Sequence, residues 1–190
     1  MYSVTPLSTR LFFFFLTVPV FAGSPEGIKN FHQVDEHVYR GAQPDEKGFS
    51  NLAQLGVKTV IDLREPGRRS QMEQAAVTAA GMKYINVPMS GLTPPSEAEI
   101  TKILGIFEDE SAGPVFVHCM RGADRTGAVV AAYRIHHNGW ENARALSEAE
   151  SLGMSVFQLP RKGFIRNFQM ATEAKSTPAG DAAPVAVTTK

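Results

Sequence analysis

One stretch, 118–127, constrains this chain more than any other feature: it reads HCMRGADRTG and holds the only cysteine of the 190 residues. The apolar run 114–117 before it predicts a short buried strand. The Ala- and Val-rich segment 126–138 ends in Asn-Gly and predicts a helix. The chain must therefore turn from a strand into a helix within a few residues, with Cys119 at the start of the turn.

A loop of this kind is suited to holding a phosphate. Backbone N–H groups at a helix N-terminus point towards an anion, and the helix dipole favours negative charge there. Arg125 adds a guanidinium, whose planar fork can bind two phosphoryl oxygens at once. We expect the following residues to contact the phosphate: Met120, Arg121, Gly122, Ala123, Asp124 and Arg125.

The same loop would activate Cys119. A free thiol has a pKa near 8.5, which falls to roughly 3.5–7.5 at helix N-termini and beside cations. We expect a thiolate nucleophile that forms a phosphocysteine, with Thr126 donating a hydrogen bond to the sulfur. His118 would fix the loop through ring hydrogen bonds, while Gly122 and Gly127 would allow backbone angles and close approaches that a side chain blocks.

This loop resembles the signature of the cysteine-dependent protein tyrosine phosphatases. Two upstream stretches, VYRGAQP at 38–44 and IDLR at 61–64, are similar to the compact dual-specificity-like branch of that superfamily. The resemblance covers roughly residues 30–170. It implies a central sheet flanked by helices, a phosphocysteine intermediate, and neither a metal nor another cofactor. Phosphotyrosine-type protein substrates are the implied default.

The chain departs from the family in one place. Family members usually carry an aspartate general acid on a separate loop before the cysteine, but residues 88–95 read PMSGLTPP, without Asp or Glu. The leaving oxygen still needs a proton, a contribution of typically about 10²–10⁴-fold. Asp124 is the best substitute, since an Asp directly before the loop Arg is similar to the myotubularin lipid phosphatases. Glu97 and Glu99 are weaker candidates, and a structural carboxylate paired with an arginine is the other interpretation of Asp124.

Three alternatives stay open from the sequence. A phosphoinositide or inositol-phosphate phosphatase is favoured by Asp124, Arg121 and the missing upstream acid. A phospho-ligand binding module without catalysis would keep the loop, although such proteins usually lose the Cys or the Arg first, and both are present. A rhodanese-type sulfurtransferase also keeps its cysteine between a strand and a helix, but it has no comparable need for the Arg-Thr-Gly ending.

Strands and helices alternate along the rest of the chain, which favours a single-domain α/β fold with a central, mostly parallel sheet flanked by helices. Ligands of such sheets bind beyond the carboxyl ends of the strands, where Cys119 would lie. Further strands are predicted at 31–40 (a strand or hairpin), 57–63 and 83–87. Further helices are predicted from Pro44-Asp45 to Gly56, at 69–80, after a Ser96–Glu99 capping box, at 141–152 and at 164–173.

The two ends of the chain look unlike the domain between them. Residues 1–22 are predicted to be a signal peptide, because Arg10 precedes a twelve-residue apolar run that ends in VFA and is too short to span a bilayer. The phosphatase domain is expected at 28–175, and a disordered tail rich in Ala, Pro and Thr at 176–190. We therefore expect an exported protein, periplasmic or secreted, without a stable membrane span.

Charge and cysteine usage limit the partners. The 19 basic and 19 acidic residues balance, so nothing in the total indicates nucleic-acid binding. A lone cysteine can form neither an internal disulfide nor a Cys-based metal site. Arg64 follows a predicted strand end and would either face the substrate pocket or pair with Glu65 or another neighbour. The Arg68-Arg69 pair is expected to be solvated surface. The expected partner is a phosphorylated protein, or in the alternative an inositol phosphate or phosphoinositide.

Overall fold

A five-stranded sheet organises the protein in the computed structural model, which describes residues 24–169. The strands are β1 (His32–Gln33), β2 (Val38–Ala42), β3 (Thr59–Asp62), β4 (Lys83–Asn86) and β5 (Val115–Cys119). Their order across the sheet is β1-β2-β5-β3-β4. The short β1 pairs with β2 in the antiparallel sense, and all other neighbours are parallel. The predicted mostly parallel α/β fold is confirmed.

Helices cover both faces of this sheet. They are α1 (Glu46–Gln54), α2 (Arg68–Ala79), α3 (Glu97–Glu108), α4 (Asp124–His136), α5 (Asn142–Ser151) and α6 (Leu159–Asn167). Apolar residues of α1 and α2 form a core with one face of the sheet, and those of α3 and α4 form a core with the other. A third cluster joins α4 to α5 and α6. Because both faces are covered, every residue of the central strand β5 is buried.

The alternation of side chains along β5 decides where the functional residues point. Val115 and Val117 pack with α3 and α4, whereas Phe116 packs with α1 and α2. His118 follows the same alternation, stacks on Phe116 and faces α2. Cys119 lies on the α4 side, at the carboxyl end of the strand. One strand therefore presents its histidine and its cysteine to opposite faces of the sheet.

Local sequence signals account for the start of α3. Ser96 is its N-cap: its hydroxyl accepts from the Glu99 backbone N–H at 3.3 Å, and Glu99 accepts from the Ser96 backbone N–H at 2.6 Å. This is the predicted capping box, in which two unpaired donors of the helix end are satisfied reciprocally.

Two predicted boundaries are corrected by the structure. The last helix was expected at 164–173 but is α6, Leu159–Asn167, because Pro160 opens it and residues 168–169 are no longer helical. Helix α4 begins at Asp124 rather than Thr126, so the turn after Cys119 has only four residues, 120–123. In the range 24–169, no helix is long and apolar enough to cross a membrane. The predicted signal peptide (1–22) and tail (176–190) lie outside the described residues.

Candidate active site

Loop 120–123 joins Cys119 to α4 and is held in place by polar side chains beneath it. Gly122 has a φ of +66°, and a side chain there would collide with the backbone of Gly41 on the neighbouring strand. Its carbonyl accepts hydrogen bonds from Arg40 Nη2 at 2.7 Å and from Asn30 Nδ2 at 3.0 Å. The glycine is therefore required both for its backbone angle and for the close approach to β2.

Gly127 has a different role one turn into α4. A methyl group added there would lie 3.0 Å from Met154 Cε and 3.4 Å from Ala149 Cβ. The glycine therefore allows α5 and the segment after it to pack closely on α4. Unusual backbone angles and close approach were predicted at these two glycines. The structure shows a positive φ at Gly122 and close approach at both glycines.

The Cys119 thiol is buried, yet its surroundings favour the thiolate. Burial raises the pKa of Cys119, but it is outweighed by hydrogen bonding from the hydroxyl and backbone N–H of Thr126 and by the charge of Arg125, so the pKa is lowered. The Thr126 side chain is fully buried, and its hydroxyl has no other hydrogen-bond partner within residues 24–169. It is thus free to donate to the sulfur once the thiolate forms, and this donation stays a prediction.

Arg125 lies in the first turn of α4, partly buried beside Cys119. Its Nη1 is 3.4 Å from the carbonyl oxygen of Leu63, which directly follows β3, and 3.3 Å from that of Met89, which lies three residues after β4. These two long hydrogen bonds occupy one edge of the guanidinium. The remaining N–H groups are available for phosphoryl oxygens.

A buried ionic network lies next to Cys119 and extends to α2. His118 Nε2 is 2.6 Å from Glu73 Oε1 and 4.0 Å from Asp62 Oδ1, although the angle at Glu73 is poor for a hydrogen bond. Its other ring nitrogen, Nδ1, contacts the Cys119 carbonyl oxygen at 3.2 Å. His118 therefore contacts the backbone of Cys119, and its supporting role stays a prediction.

Arg64 completes this network. Its Nε donates to Asp62 Oδ1 at 2.8 Å, its Nη2 donates to Asp62 Oδ2 at 2.7 Å, and Nη2 also pairs with Glu73. The partners of Arg64 are thus Asp62 and Glu73, and not the adjacent Glu65. Burial lowers the pKa of His118, but Glu73 and Asp62 outweigh it, so this pKa is raised and the imidazolium is favoured.

The network also explains a constellation that could suggest a metal. Ligand atoms of Asp62, Glu73 and His118 all lie within 4.8 Å of one another. The Arg64 guanidinium, however, bonds to both carboxylates and supplies the positive charge there. The donor set is that of an ion-pair network rather than a cation site, because a metal would have to displace a bidentate arginine.

The structure places Asp124 in contact with one residue of loop 120–123 and with one residue of the segment after α5. Its Oδ1 accepts the Ser155 backbone N–H at 2.9 Å, and its Oδ2 pairs with Arg121, whose side chain is 61% exposed. Both oxygens are thus engaged in contacts that position Arg121 and the segment after α5. Of the weaker acid candidates, Glu99 is used as the cap of α3, and Glu97 lines a groove of about 790 Å³ that contains no residue of 118–127.

Two buried arginines near the loop were not singled out from the sequence. Arg40, on β2, supports the Gly122 carbonyl; burial lowers its pKa to about 10, so it is still a cation at neutral pH. Arg161, on α6, donates to the Gly91 carbonyl at 3.1 Å and also to the Ser90 carbonyl, within the loop where the family usually has its acid. Arg40 falls within the family-like stretch 38–44, but no local signal marks Arg161.

Comparison with known proteins shows the family to which the chain belongs. A family model described as a DSP-PTPase phosphatase fused to NAD+ kinase matches residues 15–167. The chain belongs to the DSP-PTPase phosphatase family. Among curated members, it is similar to the dual specificity protein phosphatase TpbA of Pseudomonas aeruginosa, with 30% identity over 136 residues, or 71% of this chain. The chain spans 60% of the length of TpbA.

Solved structures carry the same fold. The catalytic core of the PP-IP phosphatase SIW14 from S. cerevisiae matches with a TM-score of 0.68 at 26% identity, over 77% of this chain and 89% of that one. TpbA matches with a TM-score of 0.65 at 26% identity, over 77% and 93%, and a TpbA variant has been crystallised with pTyr. The inositol diphosphatase DSP5 of Arabidopsis thaliana is 25% identical over 146 residues, 74% of this chain and 70% of DSP5. The expected phosphatase family and fold are confirmed.

Proposed function

We propose that this chain hydrolyses phosphate monoesters, with Cys119 as the nucleophile. The observation that carries the proposal is a thiol with a lowered pKa at the carboxyl end of β5, facing the N-terminus of α4 beside the Arg125 guanidinium. Thiolate, helix N-terminus and guanidinium are the three components that phosphoryl transfer to sulfur requires. Family membership and the names of the relatives support the same reaction.

The reaction has two steps. The Cys119 thiolate attacks phosphorus while the P–O bond to the leaving group breaks, and the phosphoryl oxygens are held by Arg125 and the N–H groups of loop 120–123. Water then attacks the phosphocysteine and returns a proton to the group that protonated the leaving oxygen, the S–P bond breaks, and inorganic phosphate leaves as the thiolate returns. Thr126 stabilises the departing sulfur by donating its hydroxyl hydrogen bond.

The leaving oxygen takes up a proton in the first step, and Asp124 is proposed as its donor. The location of this carboxylate in the first turn of α4, one residue from Arg125, supports the role. Its contacts with Arg121 and Ser155 support instead a structural function that fixes the loop against the segment after α5. The two roles make different predictions for the substitution Asp124→Asn, which are given in the Discussion.

The substrate class is proposed from the relatives. TpbA is named a dual specificity protein phosphatase, whereas SIW14 and DSP5 are named for PP-IP and inositol diphosphate substrates. We propose a phosphorylated protein or an inositol phosphate as the substrate of this chain. Exposed arginines around the loop, among them Arg121, favour a substrate that carries more than one negative group.

Export remains part of the proposal. It rests on the apolar run that ends at Ala22, with small residues where a signal peptidase needs them. N-terminal sequencing of the protein recovered from the medium or periplasm would test it. A chain that begins at residue 23 is the expected result, and full-length protein confined to the cytoplasm would contradict it.

Turnover of an aryl phosphate by the purified chain under reductant tests the proposed activity. Cys119→Ser should abolish it, and Arg125→Lys should reduce it strongly, because lysine cannot bind two oxygens at once. Arg166→Lys, at an exposed site on α6, is the matched control and should be unchanged. A wild-type chain that binds phosphate esters without turning them over would instead be a binding module.

A further inference from the structure

A second pocket opens directly beside the phosphate loop. It has a volume of about 270 Å³ and lies between the N-terminus of α2 and loop 120–123. Met120 and Arg125 line it from the catalytic side, and Arg64, Arg68 and Arg69 line it from the other. Small-molecule sites usually measure about 300–1,000 Å³, so this pocket suits one substituent of a substrate rather than a whole ligand.

The pocket is strongly cationic. Arg68 and Arg69 are exposed, and neither has a carboxylate within ion-pair distance among residues 24–169. Glu65 is the one acidic residue that lines the pocket in this part of the chain. Cationic side chains that are left unpaired around a concave surface attract anions from solution.

The position of these arginines in the helix is unfavourable unless an anion binds. Arg68 and Arg69 are the first two residues of α2, and its first turn contains no acidic residue. A helix N-terminus carries partial positive charge, so cations there cost free energy where anions would gain it. Such a conflict with a local rule is expected at functional sites.

Arg64 supplies an independent observation. Its side chain is 93% buried, and Asp62 and Glu73 occupy its Nε and Nη2, but its Nη1 has no hydrogen-bond partner within residues 24–169. Buried donors are normally paired, so the unpaired Nη1 is an exception in a residue that also lines the cationic pocket.

We propose that this pocket binds a second phosphate group of the substrate, next to the phosphate that Cys119 attacks. The inference rests on the phosphatase activity proposed above and deepens it. Because Met120 and Arg125 border both sites, the sites adjoin closely enough for one substrate molecule to carry both phosphates. Arg68 and Arg69 decide the specificity for the second phosphate. From the sequence alone, both were predicted to be solvated surface.

The test compares two inhibitors of aryl phosphate hydrolysis at physiological salt. Inorganic phosphate occupies one site, whereas inositol hexakisphosphate offers pairs of phosphates at every spacing on its ring. The double variant Arg68→Ala/Arg69→Ala should weaken inhibition by the hexakisphosphate at least tenfold. Its inhibition constant for inorganic phosphate, and its kcat/KM for the aryl phosphate, should stay within about twofold of wild type. Arg166→Ala, an exposed arginine away from the pocket, controls for net charge and should match wild type.

Two results would overturn the subsite: no change in inhibition by the hexakisphosphate, or an equal loss for both inhibitors. A wild-type chain without turnover would overturn the proposed activity instead. In that event calorimetric titration of the hexakisphosphate into wild type and the double variant judges the subsite alone. Sedimentation of Cys119→Ser with phosphatidylcholine vesicles, with and without phosphatidylinositol 4,5-bisphosphate, separates a lipid headgroup from a soluble source of the second phosphate.

Discussion

A buried thiol normally has a raised pKa, because loss of solvent disfavours its charged form. At Cys119 the sequence overcomes this by placing Thr126 and Arg125 in the first turn of the following helix. The Thr126 hydroxyl is buried without another partner in the described residues, so it is available to donate to the sulfur. The reactivity of the cysteine thus depends on residues six and seven positions along the chain.

Removal of the Thr126 hydroxyl should make the thiolate less stable. We expect Thr126→Val to raise the pKa of Cys119 and to lower kcat about tenfold or more, because a hydrogen bond to a charged group contributes roughly 1.5–3 kcal/mol. The pH dependence of alkylation by iodoacetamide measures the pKa directly. Thr126→Ser keeps the hydroxyl and should stay close to wild type; a wild-type pKa and kcat in Thr126→Val would show that the hydroxyl does not stabilise the thiolate.

Asp124→Asn should separate proton donation from loop positioning. If Asp124 is the acid, the variant loses far more activity on an alkyl phosphate than on an aryl phosphate, whose leaving group departs without a proton. If it is structural, both substrates lose activity equally. Arg121→Ala breaks the same ion pair while keeping the carboxylate, and it serves as the control. We predict that Asp124→Asn loses more activity on the alkyl phosphate than on the aryl phosphate, and that Arg121→Ala loses the same on both. Equal losses on the two substrates in Asp124→Asn would contradict the acid role.

The pair of His118 and Glu73 should make stability depend on pH. The pKa of His118 is raised above its ordinary value of about 6.5, so the pair stabilises the fold fully below that pH. This contribution is lost as the pH rises through the folded-state pKa. Glu73→Gln should lower the unfolding free energy by roughly 3–5 kcal/mol at about pH 6, and by less at about pH 9. Denaturant titrations across this range measure it; Glu65→Gln is the exposed control, and a loss independent of pH would contradict the account.

At the scale of elements, α6 is the clearest case that sequence reasoning misplaced. The last helix was predicted at 164–173, but Pro160 in the first turn of α6 is the signal that marks its start. The earlier start brings Arg161 under the loop at 88–95, where it holds two carbonyl groups. The capping box at Ser96 was predictable because all of its partners lie within four residues.

The two glycines around α4 should respond differently to the same substitution. Gly122→Ala is expected to cost about 1–3 kcal/mol, since its φ is +66° and the added methyl group would meet the backbone of β2. Gly127→Ala should be within about 1 kcal/mol of wild type, because its nearest contact is the flexible end of Met154 and alanine is favoured in helices. Thermal or denaturant unfolding compares them. Similar losses at both sites would contradict this assignment of roles.

At the scale of the whole molecule, the sequence predicted what lies within one strand–loop–helix unit. Residues 118–127 predicted the roles of Cys119, Arg125 and Thr126, and the alternating strands and helices predicted a mostly parallel sheet. It could not predict contacts that join distant elements. Glu73 meets His118 only because α2 packs on the sheet face to which β5 turns its histidine, and Arg40 reaches Gly122 only because β2 lies beside β5.

The charge of the molecule is likewise balanced in total but not in space. The 19 basic and 19 acidic residues cancel, yet Asp62 and Glu73 pair with the buried Arg64 behind the loop. Arg68 and Arg69, in front of the loop, have no such partner within residues 24–169. Composition therefore excluded a generally basic surface and gave no indication of this local one.

The proposed phosphocysteine intermediate can be observed directly. The purified chain would be mixed with excess aryl phosphate under reductant, quenched in acid within the first turnover, digested and analysed by mass spectrometry. We expect the peptide with Cys119 to gain the mass of one phosphoryl group, and Cys119→Ser not to turn over the substrate. Turnover that continues in Cys119→Ser, or a phosphoryl group found on another residue, would contradict it.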